Sequence, residues 1–159
     1  VFVELIPNVT AGAKLLAGWR GRQSHAGLVP YPLRTGRGIY TTPENAADLA
    51  ALHGFLALHA PPGATVLDVS NERALAYFME RKPATRCNDI AMLSAPPLFD
   101  EAMRELIAQP PAVVIVSGSP QVDQFDNLPN RARVPRLFAW IDAKYPRRRQ
   151  VGRFLVATK

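Results

Sequence analysis

Six residues, Ala112 to Ser117, "AVVIVS", constrain the fold more than any other part of the chain. Val113, Val114, Ile115 and Val116 are four β-branched residues in a row, with Pro110-Pro111 before them and Gly118 after. A strand with one wet face alternates apolar and polar side chains. This one does not alternate, so both of its faces must be covered, as in a parallel sheet flanked by helices. "TVLDVS", Thr65 to Ser70, reads as a second buried strand.

Helical patterns fall between the strands. Gly38 to Thr42 is a short strand candidate. Thr42 is placed to cap a helix that opens on Pro43, with Glu44 against the positive end of its dipole. The helix runs to about His59, with Leu49, Leu52 and Leu56 on one face and Phe55 beside them; His53 and His59 lie at its boundary. Pro61-Pro62-Gly63 ends it. A helix over Asn71–Arg81 is expected to be capped by Ser70 or Asn71, to bury Leu75, Phe78 and Met79, and to stop at Pro83. A short extended piece is expected near Ile90 to Leu93. The next helix, "LFDEAMRELIAQ", puts Phe99, Met103, Leu106 and Ile107 on one face. The last starts at Pro135 and carries the stripe Val134, Leu137, Phe138, Ile141 and Tyr145, with Arg147 to Arg149 against its C-terminal end. "VGRFLVAT" closes the chain as a strand. The alternation predicts an α/β three-layer sandwich around a mostly parallel, Rossmann-like sheet of four to five strands.

Residues 1–33 form a separate N-terminal segment in this reading, and 34–159 the α/β domain. Within the segment, Val1 to Val9 has strand character, and Thr10 to Arg22 has helix character with Leu15, Leu16 and Trp19 on one side. Asn8-Val9-Thr10 matches a glycosylation sequon. The longest stretch without Asp, Glu, Lys or Arg, Leu49 to Leu67, is broken by Pro61, Pro62 and Gly63 before it could cross a bilayer. No signal peptide is visible, and the start at Val1 reads as that of an excised piece of something longer. One cysteine, Cys87, excludes an internal disulfide framework and a cysteine-rich zinc site. The 15 prolines punctuate periodic segments rather than fill a disordered one.

The net charge of +6 favours anionic neighbours: lipid headgroups, phosphates or nucleic acid. Its sources are "WRGR", "NRARVPR" and "KYPRRRQVGR". Solvated basic faces account for them equally. A nucleic-acid platform needs aromatics interleaved with the cations. Phe138, Trp140 and Tyr145 fall on or beside the core stripe instead, so nucleic acid is not the expected partner.

"PPGATVLDV", Pro61 to Val69, reads like the first strand of a methyltransferase that binds S-adenosylmethionine. In that family the strand ends in an acidic residue and enters a glycine-rich turn, which lets the backbone approach the cofactor. Here the turn is "SNERA", without glycine. The following "ERKPATRCND" does not read as the strand whose end would hold the ribose.

A longer stretch carries a different resemblance. "PPGATVLDVSNERALAYFMERKPATRC", "PPAVVIVSGSPQVDQFDN" and "NRARVPRLFAWIDAKYPRRRQVGRFLVAT" together resemble one module. It is similar to the soluble C-terminal, extracytoplasmic domain of bacterial multi-pass glycosyltransferases of the GT-C class, relatives of dolichyl-phosphate-mannose–protein mannosyltransferases and lipid-A aminoarabinose transferases. Tyr77 to Pro83 matches the helix end of that family, Pro110 to Val114 its "PP-x-VV" strand, and Trp140, Tyr145 and Phe154 its closing helix and strand. The resemblance covers about Leu33 to Lys159. It implies a bacterial inner-membrane enzyme with this domain in the periplasm or outside the cell. It implies a polyprenyl-phosphate sugar donor used by a membrane-embedded domain of the same chain. The catalytic acid of such enzymes lies in an outer loop not present here, so no catalytic residue is carried over. The domain would act as a lid, an acceptor platform or a partner surface, against a glycan or protein acceptor or anionic lipid.

Eight residues are candidates for binding. Asn71 and Glu72 follow a predicted parallel strand, where open α/β sheets take ligands, and both can hydrogen-bond a sugar hydroxyl; capping is their structural alternative. Arg81 and Arg86 flank a proline turn and suit a phosphate, or pair with Glu80 and Asp89. Asp123, Asp126, Arg131 and Arg133 lie in the long Gly118–Arg133 loop, a kind of segment that often carries function. Two carboxylates three residues apart suit acid–base work or Ca²⁺, but calcium takes six or more oxygens and this loop offers few, so turn and cap roles stand beside these. No cofactor or metal is expected. A stand-alone Rossmann-like enzyme, such as a degenerate methyltransferase, and a basic lipid- or nucleic-acid-binding module remain the alternatives.

Overall fold

The computed structural model describes residues 27–159 except 73, 88 and 120–122. The strand and helix expected before Gln23, and the Asn8 sequon, lie outside the described residues. The chain is α/β. Its strands are β1 (Val29–Pro30), β2 (Tyr40–Thr41), β3 (Thr65–Asp68), β4 (Lys82–Pro83), β5 (Val113–Ser117), β6 (Gln124–Phe125), β7 (Leu128–Pro129), β8 (Arg147–Val151) and β9 (Phe154–Thr158). Its helices are α1 (Pro43–His59), α2 (Leu75–Phe78), α3 (Pro96–Ala108), α4 (Asn130–Arg133) and α5 (Pro135–Lys144).

The main sheet has five strands in the order β4-β3-β5-β9-β8. β3 runs parallel to both β4 and β5, while β9 is antiparallel to β5 and to β8. The sheet is therefore mixed, not mostly parallel. The cause lies in Arg147 to Arg149. These residues do not follow the last helix as a dipole complement; they form β8, which pairs from Arg147↔Thr158 to Val151↔Phe154 in a hairpin. Pro146 stands between α5 and β8, and Gly152 turns the hairpin at φ +56°. A Cβ there would lie 2.9 Å from the Asp48 Cα of α1, so the close approach of hairpin to helix requires glycine.

The side chains of β5 divide between two cores, as the unbroken β-branched run requires. Val114 and Val116 join Leu67, Val69, Phe99, Leu106, Leu137, Phe138, Ile141 and Tyr145 on the face of α3 and α5. Val113 and Ile115 join Leu49, Leu52, Leu56, Val66, Leu75, Met79, Phe154 and Val156 on the face of α1. α1 has the expected start: Thr42 Oγ1 accepts from Asn45 N at 3.2 Å, ahead of Pro43. The α5 stripe is buried throughout. On α3, Ile107 departs from its expected face and is 66% exposed. Tyr31 and Leu33 pack against the α1-side core, and Val29 pairs with Thr41, so the end of the N-terminal segment is tied to the domain.

Three local expectations are corrected. The helix expected over Asn71–Arg81 contracts to the four residues of α2, without a side-chain cap, because Asn71 is left-handed at φ +60° and starts no helix. The segment near Ile90 to Leu93 is not extended: Met92–Ser94 is a 3₁₀ turn that buries Leu93. Lys82–Pro83, read as no strand, pairs in parallel with Thr65–Val66. β4 is an edge strand, where a proline without an N–H is tolerated.

Tyr145 ties the closing helix to the central strand. It is fully buried, and its Oη donates to Pro111 O at 2.7 Å. Burial pushes its phenol up to about 12. Tyr145→Phe leaves that carbonyl without its donor, and a loss of about 1–2 kcal/mol is expected in urea unfolding with the slope unchanged.

Candidate functional site

The carboxyl ends of β3 and β5 meet a polar corner. Asp68 ends β3 and is buried, and its Oδ1 accepts from Ser70 N at 2.9 Å and Ser70 Oγ at 2.6 Å. Burial pushes its carboxyl up to about 6 against those two hydrogen bonds, and the charges of Glu72 and Asp123 push the same way. The chain then turns at Asn71. Asparagine takes the left-handed conformation more readily than most residues, and its side chain fixes the turn here: Nδ2 donates to Asn130 Oδ1 at 2.9 Å. The buried Asn130 in turn donates to Val69 O at 2.9 Å. A residue of α4 thus holds the exit of β3.

Glu72 faces the β8–β9 hairpin. Its carboxylate accepts from Arg153 Nη1. Arg153 also donates to Asn45 Oδ1 at 3.1 Å and Gly118 O at 3.3 Å, and lies 3.9 Å from the Asp48 carboxylate. Its guanidinium sits 4.3 Å from the Phe154 ring centroid. The hydrogen bond and charge of Glu72, with the charge of Asp48, hold Arg153 firmly protonated. Gly118 makes the convergence possible: a Cβ would stand 3.0 Å from Glu72 Oε1. Beside it, Asp123 accepts from Ser117 Oγ and from Gly118 N, and burial raises its carboxyl.

A cleft of about 400 Å³ opens against this corner. Asn45, Asn71, Glu72 and Arg153 contribute polar groups to its lining, and Tyr31 and Phe78 contribute aromatic rings. The Tyr31 and Phe78 rings lie 4.8 Å apart. Tyr31 is seated on Gly36, where a Cβ would fall 2.1 Å from its Cδ1. Burial raises the Tyr31 phenol, keeping it a neutral donor and acceptor.

Of the eight candidates, Asn71 and Glu72 line the cleft, and Asp123 stands behind it within electrostatic reach of Glu72. The other five lie elsewhere. Asp126 shares with Asn127 the left-handed turn of the β6–β7 hairpin. Arg81 donates to Met79 O and Glu80 O, while the Glu80 carboxylate meets Arg34 at 3.3 Å. Arg86 does not pair with Asp89; it forks onto Glu101 with two bonds of 2.9 Å and holds that carboxyl below its ordinary range. Arg131 pairs with Asp142 at 2.7 Å, and Arg133 donates to Phe125 O. Arg34, Arg86 and Arg131 are thus matched by carboxylates within the fold.

Sequence reasoning missed Tyr31, Asn45, Asn130 and Arg153. The only local signals were the turn dipeptide Gly152-Arg153 and the place of Asn45 three residues after the Thr42 cap.

The chain matches no protein-family model, no curated protein and no solved structure. No helix among the described residues is long and apolar enough to cross a membrane, and no group of three or more His, Cys, Asp or Glu among them is placed to hold a metal ion.

Proposed function

We propose that this chain is a non-catalytic extracytoplasmic domain of a bacterial GT-C class membrane glycosyltransferase. It serves a membrane-embedded domain of the same chain that uses a polyprenyl-phosphate sugar, and acts there as a lid, acceptor platform or partner surface. In this reading the two cores on either side of the sheet make a three-layer, Rossmann-like sandwich on the periplasmic side of the inner membrane.

The observation that carries the reading is the hydrogen bond from Tyr145 to Pro111. It joins two segments on which the resemblance rests, "KYP" and "PPAVV", that lie far apart in sequence. A motif whose distant parts depend on one another physically supports a shared fold better than the same letters scattered along a chain. Tyr77 and Phe78 in α2, followed by Lys82–Pro83 as β4, supply the third segment.

The methyltransferase alternative gains the parallel strand β4 but loses the site. No glycine stands between Ser70 and Ala74, and β4 ends in proline rather than an acidic residue. The test is the reading frame upstream of Val1. Several apolar spans of about 20 residues each are expected, with an acidic residue in the first outer loop. A frame without membrane spans overturns the proposal.

A further inference from the structure

We propose that the cleft between Tyr31, Phe78 and the Asn45–Glu72–Arg153 corner is a binding site for a neutral sugar. Its assignment to an acceptor glycan, though not the site itself, rests on the glycosyltransferase reading. Three features carry the inference.

The first is composition. A pyranose has apolar C–H faces and a rim of hydroxyls. The cleft offers the Tyr31 and Phe78 rings together with amide, carboxylate and guanidinium groups. Aromatic rings pack against apolar faces, and planar polar groups orient hydroxyls. The second is preorganisation. Tyr31 is fixed by its seat on Gly36, Asn71 by Asn130, and Glu72 by Arg153. A site held in place before the ligand arrives loses less entropy on binding. The volume of about 400 Å³ falls within the range of small-ligand pockets.

The third is charge, which selects against anions. Arg153 already donates to Glu72, Asn45 and Gly118 O and stands beside Asp48. Its single charge faces two carboxylates, with Asp68 and Asp123 behind them. A phosphate or carboxylate placed here meets carboxylates whose cation is already engaged. A neutral hydroxyl has no such penalty and exchanges hydrogen bonds with the same groups.

The experiment is an amide-resonance titration of the 159-residue chain with the methyl glycosides of mannose, glucose, galactose and N-acetylglucosamine. Saturation transfer from aromatic protons to the sugar accompanies it. At least one glycoside is expected to give saturable shifts at Tyr31, Asn45 and Asn71, with transfer confined to one sugar face. Asn45→Ala is expected to weaken it about tenfold. Asn71→Gly, which allows the left-handed turn but removes the side-chain amide, is expected to weaken it as well, and the transfer experiment needs neither. The proposal is overturned by the absence of saturable shifts with all four, by shifts that map away from the cleft, or by tighter binding of inorganic phosphate or S-adenosylmethionine at the same residues. Binding is read on this chain and membrane spans on the upstream gene, so either proposal can fail while the other stands.

Discussion

Arg153→Met is expected to lower stability by about 3 kcal/mol at neutral pH, and the loss is expected to shrink as the solution is made acidic. Methionine keeps much of the apolar stem that packs near Phe154 but removes the charge. Glu72 and Asp48, whose side chains are 20% and 19% exposed, are then left without their cation, and Glu72 stays within electrostatic reach of the carboxyls of Asp68 and Asp123. Removing one member of a largely buried pair costs far more than the pair is worth intact, because the partner remains desolvated and unmatched. The pH direction separates this cause from lost packing. Acid neutralises the carboxylates that lost their cation, and with them the cause of the deficit. The deficit is therefore greatest at neutral pH and falls in acid. Urea unfolding at several pH values reads it directly. A deficit of equal size at all pH values would assign Arg153 to packing alone. A double-mutant cycle with Glu72→Gln, which removes the main unmatched charge, is expected to recover part of the loss.

Arg153 also marks where sequence reading stops. The elements read correctly are specified by neighbours along the chain. Thr42 and Pro43 start α1 through a cap that spans three residues. Val134, Leu137, Phe138, Ile141 and Tyr145 repeat at helical spacing. The β-branched run of β5 needs no distant information to exclude a wet face. The corner at Asn71 is different. It looks like a helix cap because asparagine caps helices, yet its partner is Asn130, 59 residues away. Glu72 looks like a first-turn carboxylate, yet its partner is Arg153, 81 residues away. Arg86 forks onto Glu101, on the following helix, where the sequence offered the nearer Asp89. The run Arg147 to Arg149 carries no β signal of its own. Pro146 stops the helix before it, and the apolar face of β9 offers it an edge to pair with. The candidate site was legible as a place, the carboxyl end of β3. Its membership was not, because three of its cleft-lining side chains, Tyr31, Asn45 and Arg153, come from segments brought there only by folding.

Asp68→Asn is expected to act in the opposite sense and to raise stability. The sign follows from the direction of the shift. The folded carboxyl titrates at about 6, against an ordinary value of 3.8, so the native state holds its proton more tightly than the unfolded chain. Below about pH 4 both states are protonated and the fold has the full benefit. Between about 4 and 6 the unfolded chain releases the proton and the native state does not, so stability falls with rising pH. Above about 6 both are ionised and the deficit is constant. Two units at 1.36 kcal/mol each put it at about 3 kcal/mol. Asparagine presents an Oδ1 that accepts from Ser70 N and Oγ as the carboxylate does, but never ionises. The variant is therefore expected to equal the wild type near pH 4 and to exceed it by up to about 3 kcal/mol at pH 8, with Asp123 leaving a smaller slope of the same sign in both proteins. Thermal unfolding across that range checks it; equal slopes in the two proteins would place the carboxyl near its ordinary value and remove the argument. A confirmed gain would bear on function as well as folding. A buried carboxyl that destabilises the fold at neutral pH, at the strand end behind the cleft, is the kind of group whose removal separates stability from binding. The same variant, titrated with the methyl glycosides, asks whether the negative potential behind Glu72 contributes to the cleft or only strains the corner that holds it.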